Sequence, residues 1–308
     1  MKKRLLFGKT YAVSGVIEAL LLIALVAIII STIQLIYIPD IMEDKEEDHM
    51  SEIEKQISYL KSNIDIQTMT KEKVLLSSAI TLGNKQLPYF VTMGSTGQVQ
   101  VNNKSDVGSC RIKTSPAFDS SDLPDFSDDF IIKYDGIPLT SIEYNAYNNY
   151  IDNYKYVFEG GAIVAKKPDE EMMVQPSIVV ENTTDTKITL YYSLPFFTDF
   201  AGRKIESSGF GNPDLTVYIH TNYSLYNSPP RTGISSLQIH TNYIEAWNNS
   251  LIGNNGLLLS QYNNDDISIT IHDTQEPAYI EISPNNKDID LVLTVSKIGV
   301  QIGPGVVK

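Results

Sequence analysis

The sequence has few of the residues from which catalytic and metal-binding sites are built. Its 308 residues include one cysteine, Cys110, so the chain can form no internal disulfide and no zinc site with several cysteines. Only four histidines are present, and few side chains therefore titrate near neutral pH. The sequences Gly-x-Ser-x-Gly and His-Glu-x-x-His and a phosphate-binding glycine-rich loop are absent. We therefore predict no catalytic residue and no cofactor, and an anchored hydrolase is a hypothesis without a supporting motif.

Basic side chains are also in the minority. The chain has 24 lysines and arginines against 37 acidic residues, for a formal net charge of −13. A surface of this sign repels phosphate, so we expect no nucleic acid among the partners. Hydrophobic residues make up 42% and charged residues 20%, which is typical of a folded protein and excludes disorder of the whole chain.

The most distinctive feature is a long apolar segment, residues 12–38. Its only clearly polar side chains are Ser14, Glu18, Ser31, Thr32 and Gln34. About 20 such residues span a bilayer as a helix. A removed secretory signal has a shorter core, of about 7–15 residues, and a small-x-small exit site, which residues 31–38 lack. The segment is therefore predicted to be a retained membrane anchor, with a removed signal peptide as the alternative.

Charge predicts the orientation of this anchor. Lys2, Lys3, Arg4 and Lys9 precede it, whereas 36 acidic and only 20 basic residues follow Ile38. The positive-inside rule predicts a single-pass protein of the cell membrane, with a cytoplasmic N-terminus and an exported, acidic region from Pro39 onward. Membrane lipid is accordingly an expected partner.

The start of the apolar segment resembles the N-terminus of archaeal type IV pilin-like proteins. The residues that carry the resemblance are Ala12, Val13, Ser14, Gly15, Val16, Ile17 and Glu18, followed by a long aliphatic run. The resemblance implies that a prepilin peptidase removes a basic leader between about Gly8 and Ala12, on the cytoplasmic side. It also implies that the hydrophobic helix stays on the mature protein and packs with the same or other pilin-like subunits in a filament.

Three later parts of the chain strengthen this resemblance. Residues 156–164, 172–176 with 188–190, and 243–247 resemble the head of uncharacterised pilin-like proteins of methanogens and salt-loving archaea. No chemistry is assigned to that group, so the resemblance implies an architecture and no activity.

Glu18 has two interpretations. A carboxylate costs about 2.5–3.5 kcal/mol at the centre of a membrane helix but less near an interface, and Glu18 lies only two turns inside. It is either an acid that reaches the interface or, by analogy with bacterial type IV pilins, a partner for the N-terminal amine of a neighbouring subunit.

A second helix is predicted to follow the first. Pro39 should break the helix at Ile38-Pro39-Asp40, because proline lacks a backbone donor and clashes with the preceding turn, and the second helix follows almost continuously. An apolar stripe then recurs at intervals of three and four residues, at Met50, Ile53, Ile57, Leu60 and Ile64. The stripe packs either on the protein's own head or on another subunit.

From about Lys73 the pattern predicts strands. Short apolar runs end at Gly, Pro, Asn or Asp, and Gly160-Gly161 is typical of a two-residue hairpin turn. The predicted runs are 74–82, 130–134, 154–159, 162–165, 177–180, 188–192, 215–220 and 267–272. We predict an α+β protein with a leader (1–11), a transmembrane helix (12–38), an amphipathic helix (39–70) and a mainly antiparallel, sandwich-like head (71–308).

Several polar residues are weaker candidates for sites. His220, His240 and His272 are predicted on solvent-facing strand faces, where two of them could meet at a metal ion, although zinc sites need three or four ligands. An acidic loop is either solvated or a calcium site formed by Asp119, Asp122, Asp125, Asp128 and Asp129. Glycosylation acceptor sequences occur at Asn103, Asn182, Asn222 and Asn248. Cys110 beside Arg111 is a weak candidate nucleophile.

Taken together, the sequence predicts a membrane-anchored, pilin-like surface protein that is a structural or minor subunit of a filament. The alternative is a monomeric anchored extracellular domain that binds a polysaccharide, a cell-surface layer or another protein.

Overall fold

A computed structural model describes residues 9–70, 72–84, 94–102, 110–118, 135–199, 206–209, 216–225, 231–252 and 266–303. The chain begins with helix α1 (Lys9–Thr32), passes through a π-helical turn (Ile33–Tyr37) and continues as helix α2 (Ile38–Thr70). The described residues from 72 onward, called the head below, form strands β1–β17 and a short helix α3 (Ile244–Leu251). The predicted α+β class, with one long N-terminal helix and a β-rich head, is confirmed.

The first sheet contains the longest strands of the head. Its main path runs in the order β1 (Leu76–Thr81), β12 (Thr216–Leu225), β17 (Asp288–Gly303), β10 (Lys187–Asp199), β9 (Ile178–Thr184). A further strand, β13 (Arg231–Ile234), pairs with β17. The β10–β17 pair is parallel over 13 residues, from Lys187 opposite Asp288 to Asp199 opposite Val300, whereas the other described pairs are antiparallel.

Two antiparallel sheets complete the head. The second sheet runs in the order β11 (Glu206–Gly209), β2 (Thr96–Asn102), β5 (Ser141–Tyr147), β6 (Lys155–Glu159), β7 (Ala162–Lys167), β8 (Glu170–Val174). The third runs in the order β15 (Ile267–His272), β16 (Tyr279–Pro284), β14 (Ser236–His240), β3 (Arg111–Ser115), β4 (Ile137–Pro138). The sandwich-like packing thus involves three sheets.

The three sheets enclose two hydrophobic cores. The first core contains residues of the third sheet, of α3 and of the first halves of β10 and β17, such as Leu237, Trp247 and Leu291. The second core lies between α2, the second sheet and the remainder of the first sheet, and contains Leu60 and Val300. Because neighbouring residues of a strand point to opposite faces, the second sheet contributes to both cores.

Most of the predicted strands are present. Strands β1, β6, β7, β9, β10 and β15 lie at predicted runs, and β12 covers most of another. The Gly160-Gly161 turn joins β6 to β7, with φ of +60° and +82°, as a hairpin turn with two left-handed residues requires. The predicted run 130–134 lies outside the described residues. In β15 the expected alternation fails at Ile271, which is 37% exposed near the end of an edge strand.

Candidate functional site: the exposed helix and its junction with the head

The N-terminal part of the long helix is exposed on every side. No side chain from Gly15 to Tyr37 is buried, and Val16, Leu21 and Leu35 are 61%, 67% and 76% exposed. These 23 residues rise about 35 Å, slightly more than the roughly 30 Å of a bilayer's hydrocarbon core. A helix that is apolar all round is normally covered by lipid or by other helices. This helix is long and apolar enough to cross a membrane.

The residues that resemble a pilin N-terminus lie on this helix. Ala12, Val13 and Ser14 belong to α1, but their side chains lie outside the described part of the chain. Gly15, Val16, Ile17 and Glu18 are exposed, and a Cβ atom placed on Gly15 would meet no other atom within 4 Å. Both interpretations of Glu18 are compatible with an exposed position on α1.

The predicted break at Pro39 is wrong, because the helix continues through it. Immediately before the proline, the Ile38 N–H donates to the carbonyl of Ile33, five residues back, and residues 33–37 form a π-helical turn. In an α-helix the proline ring would clash with the carbonyl of Leu35, four residues earlier. The wider turn accommodates the ring, so that Pro39 is tolerated where it was expected to end the helix.

The head begins to cover the helix directly after this turn. Tyr37 is 58% exposed, whereas Ile38 is 8% exposed and Met42 and Glu46 are fully buried. The exposed segment therefore has no flexible spacer between itself and the head. Movement of the exposed segment relative to the head has to occur within the helix itself.

Glu46 fastens the junction to a loop of the second sheet. Its carboxylate accepts hydrogen bonds from three successive backbone N–H groups, of Asn149 at 3.0 Å, Tyr150 at 2.8 Å and Ile151 at 3.1 Å. A carboxylate that accepts several N–H bonds in a buried place is held strongly, because charged acceptors form the stronger hydrogen bonds. The loop between β5 and β6 is thus attached to α2.

The apolar stripe of α2 packs on the protein's own head. All five of its residues are buried and belong to the second core: Met50, Ile53, Ile57, Leu60 and Ile64. Polar contacts flank this stripe. The Thr81 N–H donates to Gln56 Oε1 at 2.8 Å, Lys61 Nζ donates to the Gly161 carbonyl at 2.9 Å, and Gln67 Nε2 donates to the Thr221 carbonyl at 3.0 Å. Of the two interpretations of the stripe, the structure selects packing on the head.

The histidines do not form a metal site. His220 and His240 are each only 6% exposed, so their predicted solvent-facing positions are wrong, and His272 is half-buried. The Tyr279 ring stacks on His240 at 4.6 Å and on His272 at 4.3 Å, so it separates the two imidazoles. Among the described residues no group of three or more His, Cys, Asp or Glu side chains could hold a metal ion.

Burial also changes the titration of two of these histidines. It lowers the pKa of His220, whose Nδ1 lies 2.6 Å from Ser77 Oγ. Burial, with the positive charges of Arg111 and Lys113 nearby, lowers the pKa of His240 to about 4. Both side chains are therefore neutral at neutral pH.

A buried acid in the first core was not identified from the sequence. Glu159, at the end of β6, is 3% exposed and accepts a hydrogen bond from Thr241 Oγ1 at 2.8 Å. Burial raises the pKa of this carboxyl group to about 7. Burial and the adjacent Glu159 also raise the pKa of the Cys110 thiol, which keeps it protonated and unreactive. The only sequence signal was an acid that ends an otherwise apolar run.

The remaining candidate residues are dispersed. The five aspartates of the proposed calcium loop (119, 122, 125, 128 and 129) and Asn103 lie outside the described residues. Asn182 is exposed on β9, where its Oδ1 accepts a hydrogen bond from Lys287 at 3.0 Å. Asn222 is half-buried on β12 and Asn248 half-buried on α3. Of the three described acceptor asparagines, Asn182 is the most accessible.

The chain has no recognised relative in the comparisons. No family model matches it, and neither a curated protein nor a solved structure is similar to it.

Proposed function

We propose that the protein is a membrane-anchored, pilin-like surface protein that assembles through its N-terminal helix into a filament, as a structural or minor subunit. The observation that carries the proposal is the exposed apolar segment Gly15–Tyr37, which has no buried side chain and continues into a helix that packs on the head. Such a segment requires lipid before assembly, and neighbouring helices can replace the lipid in a filament. The expected orientation has a cytoplasmic N-terminus and an exported head.

Packing of the head on α2 supports assembly through the exposed segment in particular. The apolar stripe of α2 is used within the subunit, so it is not available as a seam between subunits. Among the residues that the structure describes, the exposed segment has no such partner. The resemblance to archaeal type IV pilin-like proteins at residues 12–22 adds the expectation of a prepilin peptidase, a cut between about Gly8 and Ala12, and other pilin-like subunits as partners.

Two measurements on the expressed full chain test the proposal. Intact mass of the mature protein should show loss of the leader, and the protein should be recovered in fibres sheared from the cell surface. An uncut protein confined to the membrane fraction would support the alternative function, and a freely soluble mature protein that begins beyond Asp40 would contradict both.

Cysteine cross-linking tests which surface mediates assembly. The native Cys110 is buried, so we expect it to form no disulfide with another subunit. Any cross-link therefore comes from the introduced cysteine. We expect Leu21→Cys or Leu25→Cys to form disulfide-linked dimers in filaments. Tyr59→Cys, which is equally accessible on α2 at 70% exposure, should give far fewer. Equal cross-linking at both places would contradict assembly through the exposed segment.

One observation favours the alternative function, a monomeric anchored domain that binds an extracellular partner. A groove of 540 Å³ lies between strand β8 and helix α3, on the head. Its size is within the range of ligand-binding clefts. A filament subunit can also carry such a groove, so the mass and fractionation measurements decide between the two functions.

A further inference from the structure

Contacts of α2 with the second sheet show which end of that sheet lies nearest to the exposed segment. Lys61 donates to the carbonyl of Gly161, at the turn between β6 and β7. His49 Nε2 lies 3.2 Å from the hydroxyl of Tyr144 on β5. Glu46, which is closer still to the exposed segment, binds the loop between β5 and β6. This loop is therefore on the side of the head that faces the bilayer which the exposed segment is expected to cross.

The loop is rich in tyrosine and nearly uncharged. We call residues 147–154, from the last residue of β5 to the residue before β6, the tyrosine loop. Tyr147 and Tyr150 are 50% and 37% exposed, and Asp152 is the only charged residue in this stretch of the sequence. Tyrosine favours the membrane–water interface, because its ring is apolar and its hydroxyl group is polar. The composition of the tyrosine loop is thus typical of a segment at the lipid headgroups.

The length of the exposed segment predicts that the helix is tilted in the bilayer. Its rise of about 35 Å exceeds the roughly 30 Å of the hydrocarbon core, and a helix that is too long for the core commonly tilts. These two lengths correspond to a tilt of about 30°, which is within the range found for membrane helices. Such a tilt brings one side of the junction closer to the lipid and moves the other side away.

Charge indicates the direction of this tilt. Glu46 is buried on the side of α2 that faces the tyrosine loop. The acids on the side of α2 away from the head are exposed: Asp40, Asp44, Glu47 and Asp48. Charged side chains are costly in the apolar part of a bilayer. A tilt toward the head therefore lowers the tyrosine loop toward the lipid and keeps these acids in water.

A tilt of this size brings the tyrosine loop to the headgroup layer. Glu46 follows Tyr37 by nine residues, a rise of about 14 Å along the helix, or about 12 Å along the bilayer normal at a 30° tilt. A loop about 10 Å from the helix axis, a usual distance between packed elements, is lowered by a further 5 Å or so. The remaining distance of about 7 Å matches the headgroup layer, which extends about 5–8 Å beyond the hydrocarbon core.

We propose that the tyrosine loop rests on the membrane, with Tyr147 and Tyr150 among the lipid headgroups. The partner is the interfacial layer of the bilayer, and the inference rests on the proposed membrane anchor. Because Glu46 attaches the loop to α2, the contact fixes the orientation of the head relative to the membrane as well as its height. The contact belongs to the membrane-inserted protein, whether or not filaments form afterwards.

Fluorescence quenching by nitroxide-labelled lipids tests the contact on the full chain in phosphatidylcholine vesicles, diluted to one protein per vesicle. An NBD fluorophore is attached to Asn149→Cys in the tyrosine loop, to Leu25→Cys in the exposed segment or to Tyr59→Cys on α2, while the buried Cys110 stays unlabelled. Tyr59 lies about 33 Å beyond Tyr37 along the helix. A nitroxide on the lipid headgroup should quench the Asn149 label at least about threefold more than the Tyr59 label.

The Leu25 label separates this inference from the proposed function. It should be quenched by a nitroxide on the acyl chain, because the exposed segment lies in the hydrocarbon core. If Leu25 is quenched and Asn149 behaves like Tyr59, the loop contact is wrong and the anchor stands. An unquenched Leu25 label would contradict the anchor itself, and the loop contact with it.

Substitution of the two tyrosines tests whether they hold the loop at the interface. Tyr147→Ser combined with Tyr150→Ser should lower the headgroup quenching of the Asn149 label at least about twofold, whereas Tyr147→Trp combined with Tyr150→Trp should retain it, since tryptophan has the same interfacial preference. Tyr59→Ser, at an exposed tyrosine of α2, is the matched control and should change nothing. Circular dichroism verifies the fold of each variant. Unchanged quenching in a folded double-serine variant would overturn the proposal.

Discussion

At the scale of single residues, Glu159 shows the largest difference between what the sequence suggests and the environment found in the structure. In the sequence it is one of 37 acids in a protein of net charge −13. In the structure it is enclosed by Thr241, which follows β14, by Cys110, which precedes β3, and by Trp247 from α3. No basic side chain is among the causes that set its pKa, and burial dominates, so the neutral form is favoured.

A pH-dependent stability follows from this buried acid. The unfolded carboxyl group has its ordinary pKa of 4.5 and the folded one a pKa of about 7, so the folded state binds more protons between these values. Stability should therefore fall as pH rises through this window, by about 3 kcal/mol, and then remain level. Glu159→Gln should remove this contribution, which makes the variant more stable than the wild type at pH 8 and similar to it at pH 4.

Urea denaturation followed by Trp247 fluorescence measures this difference, because Trp247 is fully buried in the same cluster. Glu181→Gln, at an exposed position, is the control and should follow the wild-type curve at each pH. If Glu159→Gln keeps the same pH dependence as the wild type, Glu159 is not the group responsible.

At the scale of elements, helix α2 is attached to the head by an apolar stripe and by a polar contact. Its periodic apolar stripe was readable from the sequence and anchors it in the second core. Its attachment to the loop between β5 and β6 depends on Glu46, one of five acids between Glu43 and Asp48. The alternating intervals of four and three in the stripe extend back from Met50 to Glu46, so the local sequence places Glu46 on the buried face of α2. Its partners could not be predicted, because the N–H groups that it binds lie about 100 residues later in the chain.

Removal of this carboxylate should loosen the junction between the exposed helix and the head. Glu46→Ala removes the shared acceptor of the N–H groups of residues 149–151 and leaves a gap where a fully buried side chain was, and we expect it to lower the free energy of unfolding by about 2 kcal/mol. Glu47→Ala changes the next, exposed acid and should alter stability by less than about 0.5 kcal/mol.

Hydrogen exchange locates the effect. The amides of Asn149, Tyr150 and Ile151 should exchange faster in Glu46→Ala, while amides of β17 keep their wild-type rates under native conditions. Unchanged exchange at these three amides would mean that the carboxylate is not their principal protection.

At the scale of the whole molecule, two long strands join the cores. In the parallel pair, Tyr192 and Leu293 lie in the first core, and Phe197 and Ile298, further along the same strands, lie in the second. Each core thus includes part of the same two strands, and the second sheet lies between the cores. We infer that the head unfolds as a single cooperative unit.

Substitutions in the two cores test this cooperativity. Leu60→Ala in the second core and Leu237→Ala in the first should each destabilise the protein by about 2–5 kcal/mol. Both should shift the Trp247 transition, although Trp247 lies only in the first core. Fluorescence and circular dichroism should give the same midpoint for each variant. A Leu60→Ala protein whose Trp247 midpoint does not move would contradict a single unit.

The sequence was sufficient for features that depend on neighbouring residues. The apolar run, the stripe of α2, the Gly160-Gly161 turn and seven of the 17 described strands follow from local periodicity and from the conformations that glycine permits. The other ten strands, such as β2, β14 and β17, had no predicted run. The predicted break of the helix at Pro39 was wrong. A proline determines which backbone hydrogen bond is lost, but it does not determine how the neighbouring backbone adjusts. Here a π-helical turn before Pro39 keeps the helix continuous.

Only the tertiary structure determined the contacts between distant segments. It paired β10 with β17 in parallel, buried His220 and His240, joined Glu46 to the loop between β5 and β6, and enclosed Glu159 among Thr241, Cys110 and Trp247. The physical reason is the same in each case. Burial and hydrogen bonding depend on which chain segments meet, and the residues concerned are separated by tens to hundreds of positions, beyond the reach of any local pattern.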